Sequence, residues 1–365
     1  MSFEIVYTSV RRGLRTGSKG FCTVAATEGI PRALHEKLES LSGYNHHEAA
    51  AGAVNYSHLI VRIQRKVYHV LSRIADAGKD YSGRTNKIAH HLALTSAETE
   101  RFADGPAALF EDDDFWYAHW EGGPEEFEPN RFPDTCADSD GEFDTWEQLF
   151  GDAGWAGILG ESCSGAPQQV SVIVPNGNHT QALLTEAMQL VPREKRWKLC
   201  FSTYFFRQAP GTQCHWRFVM DGTQEARRLR ARTSLSVVDY TTSQRQKLPA
   251  SPFVDAARNG TPSAIHQQRP KRKKRNPAEP VAGYRRRSGE SGRRRRQEER
   301  SRPTPPPVSQ TNPFDIDESQ LETAAEQERP SNRRPPARKA GVWLVVLLLI
   351  AIVAIIAIFA FQQLS

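Results

Sequence analysis

Residues 341–361 form a run of 21 without one charged side chain, and no other stretch limits the architecture so sharply. Coiled as a helix at 1.5 Å per residue it would span ~31 Å, which matches the ~30 Å hydrocarbon core of a bilayer. A soluble helix of that length keeps a polar face. This run reads Val342, Trp343, Leu344, Val345, Val346 and continues apolar to Phe361, so it is expected to cross a membrane. Arg333, Arg334, Arg338 and Lys339 precede it, and only Gln362, Gln363, Leu364 and Ser365 follow. Basic flanks stay cytoplasmic, and an interfacial indole such as Trp343 suits the same side. The expected topology is a single-pass tail anchor, inserted after synthesis, with the N-terminus and the bulk of the chain in the cytosol. The N-terminus lacks a basic start followed by an apolar run, so no secretory signal is expected.

The rest of the chain divides by composition. Residues 1–248 mix apolar and polar side chains as a globular domain does. Residues 249–340 are dominated by Pro, Arg, Ser, Gln and Glu, a composition that buries too little surface to fold. They are expected to form a disordered linker with an end-to-end distance of ~50 Å. The linker carries 21 Lys/Arg against 11 Asp/Glu; with the whole chain at +6, residues 1–248 are left at −4. The basic pI therefore belongs to the linker, and any attraction to polyanions must be assigned there.

Within the linker, residues 269–302 hold three basic runs: Lys271, Arg272, Lys273, Lys274, Arg275; Arg285, Arg286, Arg287; and Arg293, Arg294, Arg295, Arg296. Residues 315–328 hold six acids and no base. Lying on the same side as the anchor, the basic runs have the inner leaflet as their nearest abundant anion, at up to ~1 kcal/mol per Lys/Arg near the surface. A solvated spacer and salt-dependent, non-specific nucleic-acid contact are the other readings.

In residues 1–248, alternating segments predict strands near 3–8, 21–25, 58–63, 68–72, 169–174, 198–205 and 215–220. Helical patterns occupy 31–41, 97–103 and 180–190, with Pro31 suited to a first turn. Mixed order of this kind predicts an α+β domain with a mixed, largely antiparallel sheet and a few helices.

Chemical signatures are weak. The glycine-rich stretch 13–20 is one residue short of a phosphate loop, and Gly20 stands where such a loop needs Ser or Thr; it reads as a connection between strands. Residues 160–164 place Ser164 where a nucleophile elbow needs glycine. His46 with His47 and His90 with His91 are adjacent pairs whose rings diverge on a strand, so neither pair makes a metal ligand set. Asp112, Asp113 and Asp114 open an acidic, aromatic stretch, 111–147, that lacks calcium-loop spacing and reads as a surface excursion or partner-binding region. The five cysteines form no ligand cluster, as expected of free thiols in a reducing compartment. Neither a metal nor a cofactor is predicted.

Several short motifs together resemble a known family. Tyr7, Thr8, Ser9, then Arg12, Gly13, Leu14, Gly20, Phe21 and the run Thr27, Glu28, Gly29, Ile30, Pro31 resemble the opening of bacterial GTPase-associated protein 1 N-terminal domains. The stretch 81–91, with Arg196, Trp197, the run 201–205, Trp216 and Arg217, is similar to later landmarks of the type 2 form, so the resemblance covers about residues 2–240. It implies a non-enzymatic component of GTPase-centred conflict systems that bridges a GTPase to other modules, and it implies no catalytic residues; the expected anchor, separately, would place the chain at a bacterial inner membrane. The residues themselves nominate one recognition loop, Tyr81, Ser82, Gly83, Arg84, Thr85 and Asn86, joined by His91. Arg84 is a bidentate anion donor beside a glycine that permits close approach. A structural turn whose polar side chains bond their own backbone is the alternative. The leading expectation is thus a tail-anchored adaptor. A membrane-tethered enzyme with an unrecognised hydrolytic or nucleotide-processing site, or a tethered nucleic-acid binder, are the competing ones.

Overall fold

The structure is a computed structural model that describes residues 1–48, 52–135, 141–177, 179–232 and 236–267. The elements run in the order β1 (Phe3–Val10), β2 (Gly20–Thr27), α1 (Arg32–Leu41), β3 (Val54–Ile63), β4 (Lys66–Lys79), β5 (Thr85–Thr95) and α2 (Ser96–Thr99). After a 3-10 turn, Ala108–Phe110, come β6 (Glu125–Phe127), α3 (Asp144–Phe150), α4 (Trp155–Ser162), β7 (Val170–Val174), α5 (Thr180–Gln189) and α6 (Arg193–Arg196). The remainder is β8 (Phe201–Ser202), β9 (Trp216–Met220), α7 (Gln224–Arg230), β10 (Val237–Asp239), α8 (Tyr240–Ser243), α9 (Pro252–Arg258) and α10 (Ser263–Gln267).

The ten strands of the described residues share one sheet, in the order β10-β7-β9-β8-β3-β4-β5-β1-β2-β6. From β3 to β2 the neighbours are antiparallel, whereas β8, β9, β7 and β10 run parallel to one another. The predicted α+β class with a largely antiparallel sheet is therefore observed, with a parallel wing added at one end. The glycine-rich stretch 13–20 connects β1 to β2 as expected. A Cβ at Gly13 would meet Cys22 Sγ and Ser18 Oγ, so any larger residue there needs those two side chains to move aside.

Alternation along the strands buries both faces. On one face, α1 sets Leu34 and Leu38 against Ile5, Val61 and Val70, and α7 covers Ile173 and Val219 beside it. On the other, α3, α4, α5 and α9 enclose Trp146, Leu159, Leu183 and Val254 against Val172, Trp216 and Phe218. Burying each such side chain is worth about 1.5–3 kcal/mol.

Three expectations need correction. Strand β5 lies outside the expected alternating segments; its residues 88–94 are buried continuously, and burial on both faces erases the period of two. The 198–205 strand shrinks to Phe201–Ser202 because Asn55 Oδ1 takes the Ser202 hydroxyl (2.8 Å) and the Tyr204 N–H (3.1 Å) in place of continued ladder bonds. Folded structure also continues past 248. Ser251 caps α9 by accepting the Phe253 N–H, Pro252 opens it, and Val254 is fully buried. The linker beyond Gln267 and the predicted transmembrane run lie outside the described residues; among the latter no helix is long and apolar enough to cross a membrane.

Candidate functional site

The nominated loop is the turn between β4 and β5, and one carboxylate organises it. Asp80 Oδ1 accepts the Ser82 N–H (2.8 Å), the Ser82 hydroxyl (2.7 Å) and the Arg84 N–H (3.0 Å), while Oδ2 accepts the Ser9 hydroxyl (2.9 Å). These bonds, led by the Ser82 hydroxyl, hold the Asp80 carboxyl well below the usual carboxylate range. Gly83 has φ +80°, the left-handed geometry that favours glycine. Arg84 folds back on Asp80 Oδ2 at 3.0 Å, with its side chain still 65% exposed. Tyr81 is exposed, under the Arg11 guanidinium 5.4 Å from its ring centre. Thr85 is exposed at the start of β5. Asn86 is buried instead, its Oδ1 accepting the Ser9 N–H at 3.1 Å and the Thr8 hydroxyl at 3.2 Å. The tip thus leaves Tyr81, Arg84 and Thr85 to solvent on a self-bonded turn. The Arg84 guanidinium lies mostly in solvent, and the buried Asp80 carboxylate keeps its bonds from Ser9, Ser82 and the Arg84 N–H without it. Arg84→Ala should leave the thermal midpoint within about 2 °C by calorimetry; a larger fall would make Arg84 part of the turn's framework.

His91 is not at that tip. It is wholly buried in mid-β5, with Ser42 Oγ 2.8 Å from Nε2 and Ser72 Oγ 2.7 Å from Nδ1, and burial lowers its pKa to about 3. Other core imidazoles are partnered in the same way. His58 donates from Nδ1 to the Leu199 carbonyl (2.6 Å) and accepts from His69 across 3.1 Å. His90 accepts the Tyr117 N–H and donates to Glu4 Oε1 at 2.9 Å, with Arg131 Nη1 3.4 Å from the same oxygen. Desolvation keeps these rings neutral. They are polar struts of the sheet. Burial also raises the thiols of Cys163 and Cys200 to about 11 and of Cys214 to about 12, far from a thiolate nucleophile. Among the described residues no cluster of His, Cys, Asp or Glu has the spacing to hold a metal.

The acidic excursion is only half a surface feature. Phe110, Phe115 and Trp116 are buried, the Trp116 indole N–H donates to the Leu109 carbonyl (2.7 Å), and Asp113 and Asp114 are exposed. Phe115 and Trp116 are core, Tyr117 and Trp120 are half-buried, and the acids Asp113 and Asp114 are surface.

One concavity lies where β3 and the end of α1 meet the chain after β8. One hollow of about 490 Å³ is lined by Lys37, Asn55, Ser57, Tyr204, Arg207 and Cys214 among others, and an adjoining one of about 520 Å³ by Tyr44, Glu48, Lys87, Arg207 and Arg228. Gly43, Phe206 and Arg207 belong to both. Sequence inspection missed this groove because its walls come from segments more than 100 residues apart.

Residues 1–133 match the family model described as GTPase-associated protein 1, N-terminal domain type 2, and residues 143–242 match GTPase-associated protein 1, middle domain. Residues 1–242 belong to the GTPase-associated protein 1 family. No curated protein and no solved structure matches the chain. The landmarks Arg196, Trp197, 201–205 and Trp216 thus fall in the middle domain of GTPase-associated protein 1, not in its N-terminal domain. The two domains share the sheet: β8 of the middle domain pairs antiparallel with β3 of the N-terminal domain, Ser57 opposite Ser202 and His58 opposite Phe201. Thr203 seals the seam, its hydroxyl accepting the Tyr56 N–H at 2.8 Å and its N–H donating to the Tyr56 carbonyl at 2.9 Å. The groove is bounded by both domains. The basic runs from Lys271 to Arg296 lie outside the described residues.

Proposed function

We propose that residues 1–267 are the interaction module of a cytosolic adaptor that recruits a GTPase, or a related partner in a conflict or signalling system, to the inner face of a bacterial membrane. The observation that carries this reading is the groove built jointly by the N-terminal and middle domains, whose exposed lining offers hydrogen-bonding and charged groups while the nearby imidazoles and thiols are buried and partnered. That is the chemistry of recognition. The family's description as GTPase-associated names the partner class. Residues 341–361 supply the tether in this proposal, with the basic runs of 269–302 resting on anionic lipid.

Affinity purification of the full chain from detergent extract, repeated with GDP, GTP and no added nucleotide, tests the partner. A GTPase is expected in the eluate, and its absence under all three conditions would overturn the reading. The tether has its own test. The full chain should stay with membranes through alkaline carbonate washing, and deletion of 341–361 should move it to the supernatant. A full-length chain extracted by carbonate alone would remove the membrane from the proposal.

A further inference from the structure

Of the cations lining the hollow of about 520 Å³, Lys87 and Arg207 have no carboxylate within salt-bridge distance among the described residues, although Glu48 and Glu225 line the same hollow. Lys87 stands half-buried on β5, its ammonium 5.8 Å from the Tyr7 ring centre and 5.3 Å from that of Phe21, two near-parallel rings. Arg207 lines the same hollow, exposed and close to Gly43, where a Cβ would lie 3.7 Å from its Nη2. The acids nearby have other partners. Asp76, directly across from Lys87 in the ladder, accepts the Gly78 N–H at 2.8 Å and lies 3.8 Å from His46 Nδ1. Glu48 accepts the Gln224 N–H and faces Arg227, and Glu225 pairs with Arg228 at 3.2 Å. Burial, followed by the nearby Arg207 charge, pulls the Lys87 ammonium below its usual pKa. Lys87 is thus held at a desolvating cost near the exposed Arg207, and both line one open hollow of about 520 Å³.

We propose that the Lys87–Arg207 groove is a binding site for the phosphate group of a small molecule. A carboxylate would neutralise one of the two charges. A phosphate monoester carries about −1.5 to −2 and offers three acceptor oxygens, enough for an ammonium on one side and the planar guanidinium fork on the other. The volume is that of small-molecule sites, about 300–1,000 Å³. This inference is independent of the adaptor reading, since it requires no protein partner.

The test is calorimetric titration of the full chain in detergent micelles with inorganic phosphate, pyrophosphate and GTP. Saturable binding is expected, weakened at least tenfold by Lys87→Met and by Arg207→Gln, and held within threefold by Lys87→Arg and by Arg245→Gln, a charge change outside the groove. Tighter binding of GTP than of pyrophosphate would identify a nucleotide as the ligand, and equal binding would identify the inorganic ion; either supports the site. Arg207 is exposed, so its variant carries the test even where Lys87→Met fails to fold. Absence of saturable binding, or equal affinity in all four variants, overturns the proposal; the second result would assign the signal to the basic runs of 269–302.

Discussion

Val254→Asp should destabilise residues 1–267 by about 4 kcal/mol or more, measured as the shift in urea unfolding. Val254 is fully buried in α9 against α4, so the change forfeits about 1.5–3 kcal/mol of apolar burial and forces a carboxyl into a site with no partner for it. Against a typical total of about 5–15 kcal/mol this is a large fraction. Had the fold ended at 248, the same substitution would sit in solvent and cost nothing. Gly157→Ala supplies the reciprocal test from α4: its Cβ would come 2.6 Å from Val254 Cα and N, backbone that cannot rotate aside, and the expected loss is about 1–3 kcal/mol. Wild-type midpoints in both variants would return residues 249–267 to the linker.

The second large effect is acid lability. His58 and His91 have pKa values lowered to about 3 and His69 to about 4, all by burial first. A histidine whose folded pKa is depressed binds fewer protons in the native state than in the unfolded one. Its stabilisation is complete above the unfolded value of ~6.5 and is lost as pH falls toward the folded value. Between pH 7 and pH 5 each buried ring should cost about 2 kcal/mol, and most carboxylates do not yet titrate in that window. Three rings acting together would remove about 6 kcal/mol, enough to bring the fold to the edge of unfolding. Urea midpoints at pH 7.0 and 5.0 measure this directly. His91→Gln should flatten the dependence by about one ring's share while lowering stability at pH 7, because Ser42 and Ser72 lose their shared partner. A midpoint that does not move between the two pH values would mean that these rings are solvated.

The elements read correctly are those whose pattern is local. β1, β2, β7 and β9 alternate within a single segment, and α1 and α5 show an apolar stripe at helical spacing. The α9 signal was also present, in Ser251 followed by Pro252, an N-cap ahead of a first-turn proline, and was hidden by the Pro- and Arg-rich composition downstream. At the β4–β5 turn, Gly83 and Arg84 were visible, but Asp80, which organises the turn, was not, because its six hydrogen bonds include one from Ser9 on β1. His91 stood close to the tip along the chain and proved to be five residues deeper in a strand buried on both faces.

By itself the sequence determined the family of residues 1–242, the α+β class and the concentration of net positive charge in residues 249–340. Those properties depend on composition and on short-range period, which a linear reading preserves. Only the tertiary structure decided that two family domains share one sheet through β3 and β8, that the histidines are neutral struts, and that Gly43, Lys87 and Arg207 meet in one groove. Strand neighbours and facing side chains are set by pairings between distant segments, and their free energies appear only once the chain has closed those loops.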